Sequence, residues 1–198
     1  MSRKAILLLS GGIDSATTLF LAKKRGFKPL ALIFDYGQRH KKEIKYAKRL
    51  AKFAHCPYKV LKLSLPKKGS SLTCVSEKIP SGRSLKQINR GIPSTYVPSR
   101  NLIFLSLALS YAESEKAKAI FIGAHTEDFS GYPDCRKTFF NEFKKVIKCG
   151  TKHGSSIKVY TPLIAKNKKE IVKTGLRLGV PFELTWSCYK GGDVPCGV

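Results

Sequence analysis

LLLSGGIDSATTLF, residues 7–20, decides how this sequence is read. An apolar run ends at Ser10, two glycines follow, and Asp14 opens a stretch with helical spacing. Glycine lets the backbone take positive φ and approach a ligand closely. Ser10 and Ser15 add hydroxyls, and the free N–H groups of the following helix start point into the same space. Two readings stay open on these residues alone. The segment is a tight strand-to-helix corner with Asp14 as helix cap, or it is a cradle for an anion, most naturally a phosphate. It is neither GxxxxGK[ST], since the spacing differs and no lysine follows, nor GxGxxG.

Outward from this loop the chain alternates between apolar runs and helical periodicity. AILLL (5–9) predicts a buried strand, 14–25 a helix ending near Gly26, and LALIF (30–34) a second buried strand. A basic helix over about 39–55, closed by Pro57, leads to a third strand, YKVLKL (58–63). Residues 66–95, rich in Ser, Lys, Gly and Pro, predict a long mobile loop with at most one helical turn. RNLIFLSLALSYAESEK (100–116) is the strongest helical stretch, opened by Arg100 and Asn101 with Ser99 placed to cap it. AIFIGA (119–124), a helix over 135–149, KVYTPL (158–163) and a helix over 168–178, stopped by Gly179 and Pro181, complete the pattern.

Such alternation predicts an α/β fold: a doubly wound, mainly parallel five-stranded sheet with helices on both faces. Ligands of these folds bind beyond the carboxyl ends of the strands. Three polar loops lie there: Ser10-Gly11-Gly12-Ile13-Asp14-Ser15, Asp35-Tyr36-Gly37-Gln38 and His125-Thr126-Glu127-Asp128.

At 198 residues the chain fits one domain with a small appendage. With 42% hydrophobic and 25% charged residues it reads as globular, and no apolar run reaches the roughly 18 residues of a membrane helix. Ala5–Leu9 is too short for the core of a signal peptide, so the start reads as a first strand of a cytoplasmic protein. The net charge of +24, from 37 Lys+Arg against 13 Asp+Glu, raises a nucleic-acid partner as one reading. The lysines are scattered as pairs such as Lys23-Lys24 and Lys144-Lys145, which equally describes a solvated surface that attracts nucleotides. Six cysteines without a secretion signal do not predict disulfides, and only Cys188 and Cys196 sit close together, in a Gly-rich tail.

Ser-Gly-Gly-x-Asp-Ser after a first buried strand resembles the pyrophosphate loop of the N-type ATP pyrophosphatases, the adenine nucleotide alpha hydrolase-like group. FDYGQRH (34–40), YVPSRNLIFLSLALSYAE (96–113), EDFSGYPDCR (127–136), TPLIAKNKKEI (161–171) and TWSCYKGGDVPCG (185–197) resemble, in order, the 7-cyano-7-deazaguanine synthase (QueC) family. The resemblance implies an ATP-dependent ligase acting on 7-carboxy-7-deazaguanine and ammonia through adenylated intermediates. The alternative it leaves is a tRNA-modifying or other adenylating enzyme of the same superfamily with a different substrate.

The same resemblance implies the roles of particular residues. Leu8, Leu9, Ser10, Gly11, Gly12, Ile13, Asp14 and Ser15, with Asp35, Tyr36, Gly37, Gln38 and Arg39, are expected around ATP, and Asp14 with Mg²⁺. Arg100 and Lys168 are expected to serve catalysis beside Asp14, while Asn101, Glu127, Asp128, Ser130, Gly131, Tyr132, Asp134 and Arg136 bind the deazaguanine. His125 stands where the family often carries Asn and receives no role; Lys168, flanked by Lys166 and Lys169, also fits a solvated lysine. Cys188 and Cys196 match two of four cysteines of a structural Zn²⁺ site. Residues 1–180 are then the ATP pyrophosphatase-type domain and 181–198 a partial zinc segment, expected to be truncated after Val198. A homodimer, no membrane and no obligatory nucleic acid complete the expectation.

Overall fold

Five parallel strands run in the order β3-β2-β1-β4-β5, as the apolar runs predict. The computed structural model describes residues 3–39, 41–74, 76, 92–125, 131–153 and 156–188. In chain order these form β1 (Arg3–Leu8), α1 (Ile13–Lys24), β2 (Phe27–Asp35), α2 (Lys42–Phe53) and β3 (Tyr58–Lys62). Then follow α3 (Arg100–Ser114), β4 (Ala119–Phe121), a 3-10 turn (Pro133–Cys135), α4 (Lys137–Gly150), β5 (Lys158–Tyr160), α5 (Lys168–Arg177) and a second 3-10 turn (Phe182–Leu184).

The central strand β1 shows why its sequence reads as an unbroken apolar run. Ala5, Leu7 and Leu9 pack with Leu19, Ala22, Ala47 and Ala51 from α1 and α2 on one face. Ile6 and Leu8 pack with Leu105, Ala108, Phe140 and Ile147 from α3 and α4 on the other. Each fully buried Leu, Ile or Phe contributes about 1.5–3 kcal/mol, so both layers are firmly held to the sheet. β1 pairs with β2 from Arg3↔Phe27 to Leu8↔Leu32, and with β4 from Ala5↔Ala119 to Leu7↔Phe121. The chain therefore reverses its winding between β1 and β4. That switch point opens a crevice at their carboxyl ends, the place where doubly wound sheets take ligands.

Several expected boundaries differ: β2 starts at Phe27 rather than residue 30, and three further shifts lie near the site. β4 stops at Phe121 rather than near Ala124, and β5 stops at Tyr160 before Pro162. At Gly123 a Cβ would lie 3.0 Å from the Asp14 carbonyl carbon and oxygen, so the end of β4 presses directly on the first turn of α1. α2 starts at Lys42 instead of residue 39, because Arg39 is drawn away: its N–H donates to the Leu72 carbonyl (3.0 Å) and its Nη1 to the Ser71 carbonyl (3.4 Å). Ser70, Ser71, Leu72 and Thr73 are consequently buried, where low periodicity had predicted only loop. Ser70 Oγ accepts from Leu72 N and Thr73 Oγ1 donates to the Ser70 carbonyl, while the buried Ser71 Oγ has no partner among the described residues. Residues 77–91 of the expected loop lie outside the described residues.

Cys56 shows the same packing at the level of one thiol. It is buried after α2, its Sγ donates to the Pro29 carbonyl at 3.2 Å, and burial pushes its pKa up to about 11. The contribution to stability is therefore full below the ordinary thiol value of 9.0 and is lost as pH rises through about 11. Because the thiolate is the nucleophile, iodoacetamide at pH 8 is expected to label exposed Cys149 readily and leave Cys56 unlabelled in the native protein. Peptide mass spectrometry checks this; equal labelling would show that the thiol is not sealed.

Candidate active site

The quoted loop occupies the mouth of β1. Gly12 holds the N-cap position of α1 in extended conformation, and no side chain caps the helix. Asp14 therefore sits inside the first turn and is not the cap that the corner reading required. Ile13, Asp14 and Ser15 present first-turn N–H groups that have no intrahelical acceptor. Ser10 and Ser15 brace the loop: Ser10 Oγ donates to Ser15 Oγ (3.1 Å), and Ser15 Oγ donates to the Gly12 carbonyl (3.0 Å).

Asp14 is gripped from two directions. Lys168 Nζ lies 2.9 Å from both carboxylate oxygens, and His125 Nε2 lies 3.5 Å from Oδ2. Burial works against this carboxylate, but the His125 and Lys168 contacts prevail and hold its pKa below the ordinary value. Lys168 begins α5, and a lysine in a first helical turn opposes the helix dipole. Its place is fixed by the sequence Asn167-Lys-Lys-Glu170, a capping box in which Asn167 Oδ1 accepts from Glu170 N and Glu170 Oε2 accepts from Asn167 N, both at 2.9 Å. The ion pair with Asp14 is what a lysine gains from that position. His125, buried at 4% exposure directly beyond β4, was given no role from sequence, yet the structure brings it against Asp14.

A second cluster lies beyond β2. Gln38 is engaged in closing the turn: its Oε1 accepts from Tyr36 N (2.8 Å), and its Nε2 donates to the Phe34 carbonyl (3.1 Å) and Glu43 Oε1 (2.9 Å). Arg100 Nη1 donates to Tyr36 Oη at 3.3 Å, and its guanidinium lies 5.8 Å from the ring centre. Burial raises the pKa of both the Tyr36 phenol and the Glu43 carboxyl, with Arg100 opposing each. Asp35 pairs with Lys41 at 3.1 Å. Gly37 turns the chain with φ +85°.

α3 links this cluster to the segment expected to bind the base. Ser99 stands at the N-cap with φ 55° and makes no side-chain capping hydrogen bond, so the alternative of a plain Ser99-capped turn does not hold. Asp134 takes that task, its Oδ2 accepting from Asn101 N at 2.9 Å, while Asn101 Nδ2 donates to the Asp134 carbonyl and Cys135 Sγ. Tyr132 Oη is 2.5 Å from Thr95 Oγ1, buried Gly131 abuts Pro93, and Arg136 is exposed ahead of α4. Glu127, Asp128, Ser130 and Cys196 lie outside the described residues. Leu8 and Leu9 are buried in the sheet core below the loop.

The tail closes on the same loop. Trp186 N donates to the Gly11 carbonyl at 2.8 Å, and its indole Nε1 donates to the Cys188 carbonyl at 2.8 Å. Neither Trp186 nor Ser187 was expected at the site; the only signal was their place in the TWSC segment next to Cys188. Among the described residues no group of three or more His, Cys, Asp or Glu is placed to hold a metal ion. No helix among the described residues is long and apolar enough to cross a membrane.

A model of the family described as queuosine biosynthesis protein QueC matches residues 4–198. The 7-cyano-7-deazaguanine synthase of Thermoplasma volcanium is 47% identical over 199 residues, covering 100% of this chain and 82% of that protein. The 7-cyano-7-deazaguanine synthase of Nostoc punctiforme is 48% identical over 200 residues, covering 98% and 89%. Among solved structures, the NMN synthetase of Francisella tularensis shares the fold, with a TM-score of 0.54 at 18% identity over 94% of this chain and 66% of that one. Glycine-rich loop, switch-point crevice and these matches agree: the chain belongs to the QueC family of queuosine biosynthesis proteins.

Proposed function

We infer that the chain is an ATP-dependent ligase converting 7-carboxy-7-deazaguanine and ammonia into 7-cyano-7-deazaguanine, with ATP activated at the Ser10–Ser15 loop. The observation that carries the site is Asp14, placed at the switch point in the first turn of α1, whose N–H groups have no intrahelical acceptor, and gripped by Lys168. Family membership supplies the substrate.

The chemistry uses one site twice. A carboxylate oxygen of the substrate attacks the α-phosphorus of ATP, the bond to the bridging oxygen breaks, and pyrophosphate leaves. Ammonia adds to the adenylated carbon and AMP departs with the oxygen, leaving an amide. The amide oxygen then attacks a second ATP; loss of pyrophosphate, then of AMP and the nitrogen's protons, leaves the nitrile. Oxide is a poor leaving group in both halves, and adenylation removes that obstacle in both.

Residue roles are carried over from the family resemblance, and the position of the described residues supports several of them. Gly11 and the first turn of α1 hold the departing pyrophosphate through N–H groups, where preorganised donors stabilise developing charge without reorganisation; Gly12, whose N–H is drawn to Ser10 Oγ, leaves room for the phosphate. Lys168 adds a cation beside them, and Arg100 reaches phosphate or the substrate carboxylate from the start of α3. Asp14 would hold Mg²⁺, which supplies charge neutralisation on the phosphates when bound. Asp35, Tyr36, Gly37, Gln38 and Arg39 lie by the adenosine, with Gln38 shaping the turn. The resemblance assigns Glu127, Asp128, Ser130, Gly131, Tyr132, Asp134 and Arg136 to the deazaguanine, whose N1–H and 2-amino edge suits a carboxylate. Cys188 and Cys196 offer two thiolates, fewer than the four of a closed zinc site, and no step depends on them. The reading includes a cytoplasmic homodimer, on the strength of the family resemblance.

Incubation of the purified protein with ATP, Mg²⁺, ammonium and 7-carboxy-7-deazaguanine is expected to yield pyrophosphate and the nitrile by mass spectrometry. Two pyrophosphates should form per nitrile. Folded protein that makes neither product would sink the reading.

A further inference from the structure

We propose that Ser187 is a phosphate-binding residue of this site, presented to the loop by Trp186; the inference rests on the ATP reading above. The backbone on either side of Ser187 is tied down. Trp186 N donates to the Gly11 carbonyl, and the Trp186 indole reaches forward to the Cys188 carbonyl, each at 2.8 Å. The indole itself is buried, its ring centre 5.3 Å from that of Tyr46 and 5.1 Å from Lys42 Nζ. Residue 187 is thus the apex of a short arch closed by the indole.

The hydroxyl at that apex points at the loop. Ser187 Oγ lies 3.4 Å from the position a Cβ on Gly12 would take, nearer than Ser10 Oγ at 3.7 Å. The two hydroxyls stand on one rim but differ in availability. Ser10 Oγ donates to Ser15 Oγ and accepts from Gly12 N. Ser187 Oγ makes no hydrogen bond among the described residues, and the residue is exposed. A fixed, uncommitted hydroxyl beside the N–H groups of α1 is a donor for a phosphate oxygen, which carries formal charge and rewards each added donor. Gly12 leaves the space between them open to that oxygen.

Calorimetric titration of the full chain with inorganic pyrophosphate tests this. Ser187→Ala should weaken binding about tenfold, the worth of one hydrogen bond to a charged group. Ser187→Thr, which keeps the hydroxyl, should restore affinity to within about threefold, and Tm should stay within about 2 °C in both. Unchanged pyrophosphate affinity in Ser187→Ala, with the wild type binding normally, overturns the assignment alone. Weakened binding that follows a fall in Tm and is not restored by Ser187→Thr also overturns it, as the mark of an architectural residue. A wild type that binds neither pyrophosphate nor ATP overturns the ATP reading, and this inference with it.

Discussion

Asp14→Ala is expected to lower nitrile formation by about 10²–10³-fold while leaving the protein folded. The magnitude is that of removing one preorganised electrostatic element from a site where phosphoryl charge develops. Asp14 fills no core volume; its carboxylate meets Lys168, itself half-exposed, and His125. Loss of a partly solvated ion pair costs about 1 kcal/mol or less, so Tm should fall by only a few degrees. Asp14→Asn separates charge from shape, since the amide keeps the volume but cannot neutralise Lys168 or bind a cation. Both variants should fail together in pyrophosphate release and keep native circular dichroism. Turnover within tenfold of wild type in either would remove Asp14 from the chemistry.

Gly11→Ala should do the opposite, striking the fold first. The residue has φ +87°, and a Cβ there would lie 2.4 Å from the Glu43 carbonyl oxygen and 2.7 Å from Ala47 N. These are backbone atoms of α2, which cannot swing aside as a side chain would. Left-handed strain and overpacking each cost about 1–3 kcal/mol, giving about 3–5 kcal/mol together. That corresponds to a fall in Tm of about 10–15 °C. Gly37→Ala is the matched comparison: φ is +85°, but nothing lies within 4 Å of its added Cβ. It should cost only the strain, about 1–2 kcal/mol. Thermal melts of the two variants side by side decide the point. Equal losses would mean that the approach of α2 to the loop contributes nothing.

The architecture was legible because parallel strands covered on both faces read as continuous apolar runs. Ile6 and Leu7 face opposite layers, yet both are fully buried. The loop was legible because its glycines and serines are contiguous. What joins the loop left no local signal: Lys168, named for the site through the family resemblance, meets Asp14 across 154 positions, and His125, given no role, arrives from beyond β4. No local pattern marks such a meeting. The capping of α3 was missed for the same reason, since Ser99 sits where a cap should be and Asp134 supplies it from a later segment. Gln38 illustrates the converse. Its position after β2 marked it for the nucleotide, yet its amide is bound within its own turn and to Glu43.

The hold of Trp186 on Gly11 has a consequence for the order in which the protein becomes competent. A ribosome releases the phosphate loop before the segments that brace it, and β1, which carries it, is the middle of the sheet. Lys168 follows Asp14 by 154 positions, and Trp186 comes later still. At about 5–20 residues per second, the loop waits roughly 10–35 s for the tail that braces it. A nascent chain carries the ATP loop through that interval without its Lys168 counter-charge or its Trp186 latch. The loop gains both contacts only when α5 and Trp186 fold back onto the first turn of α1.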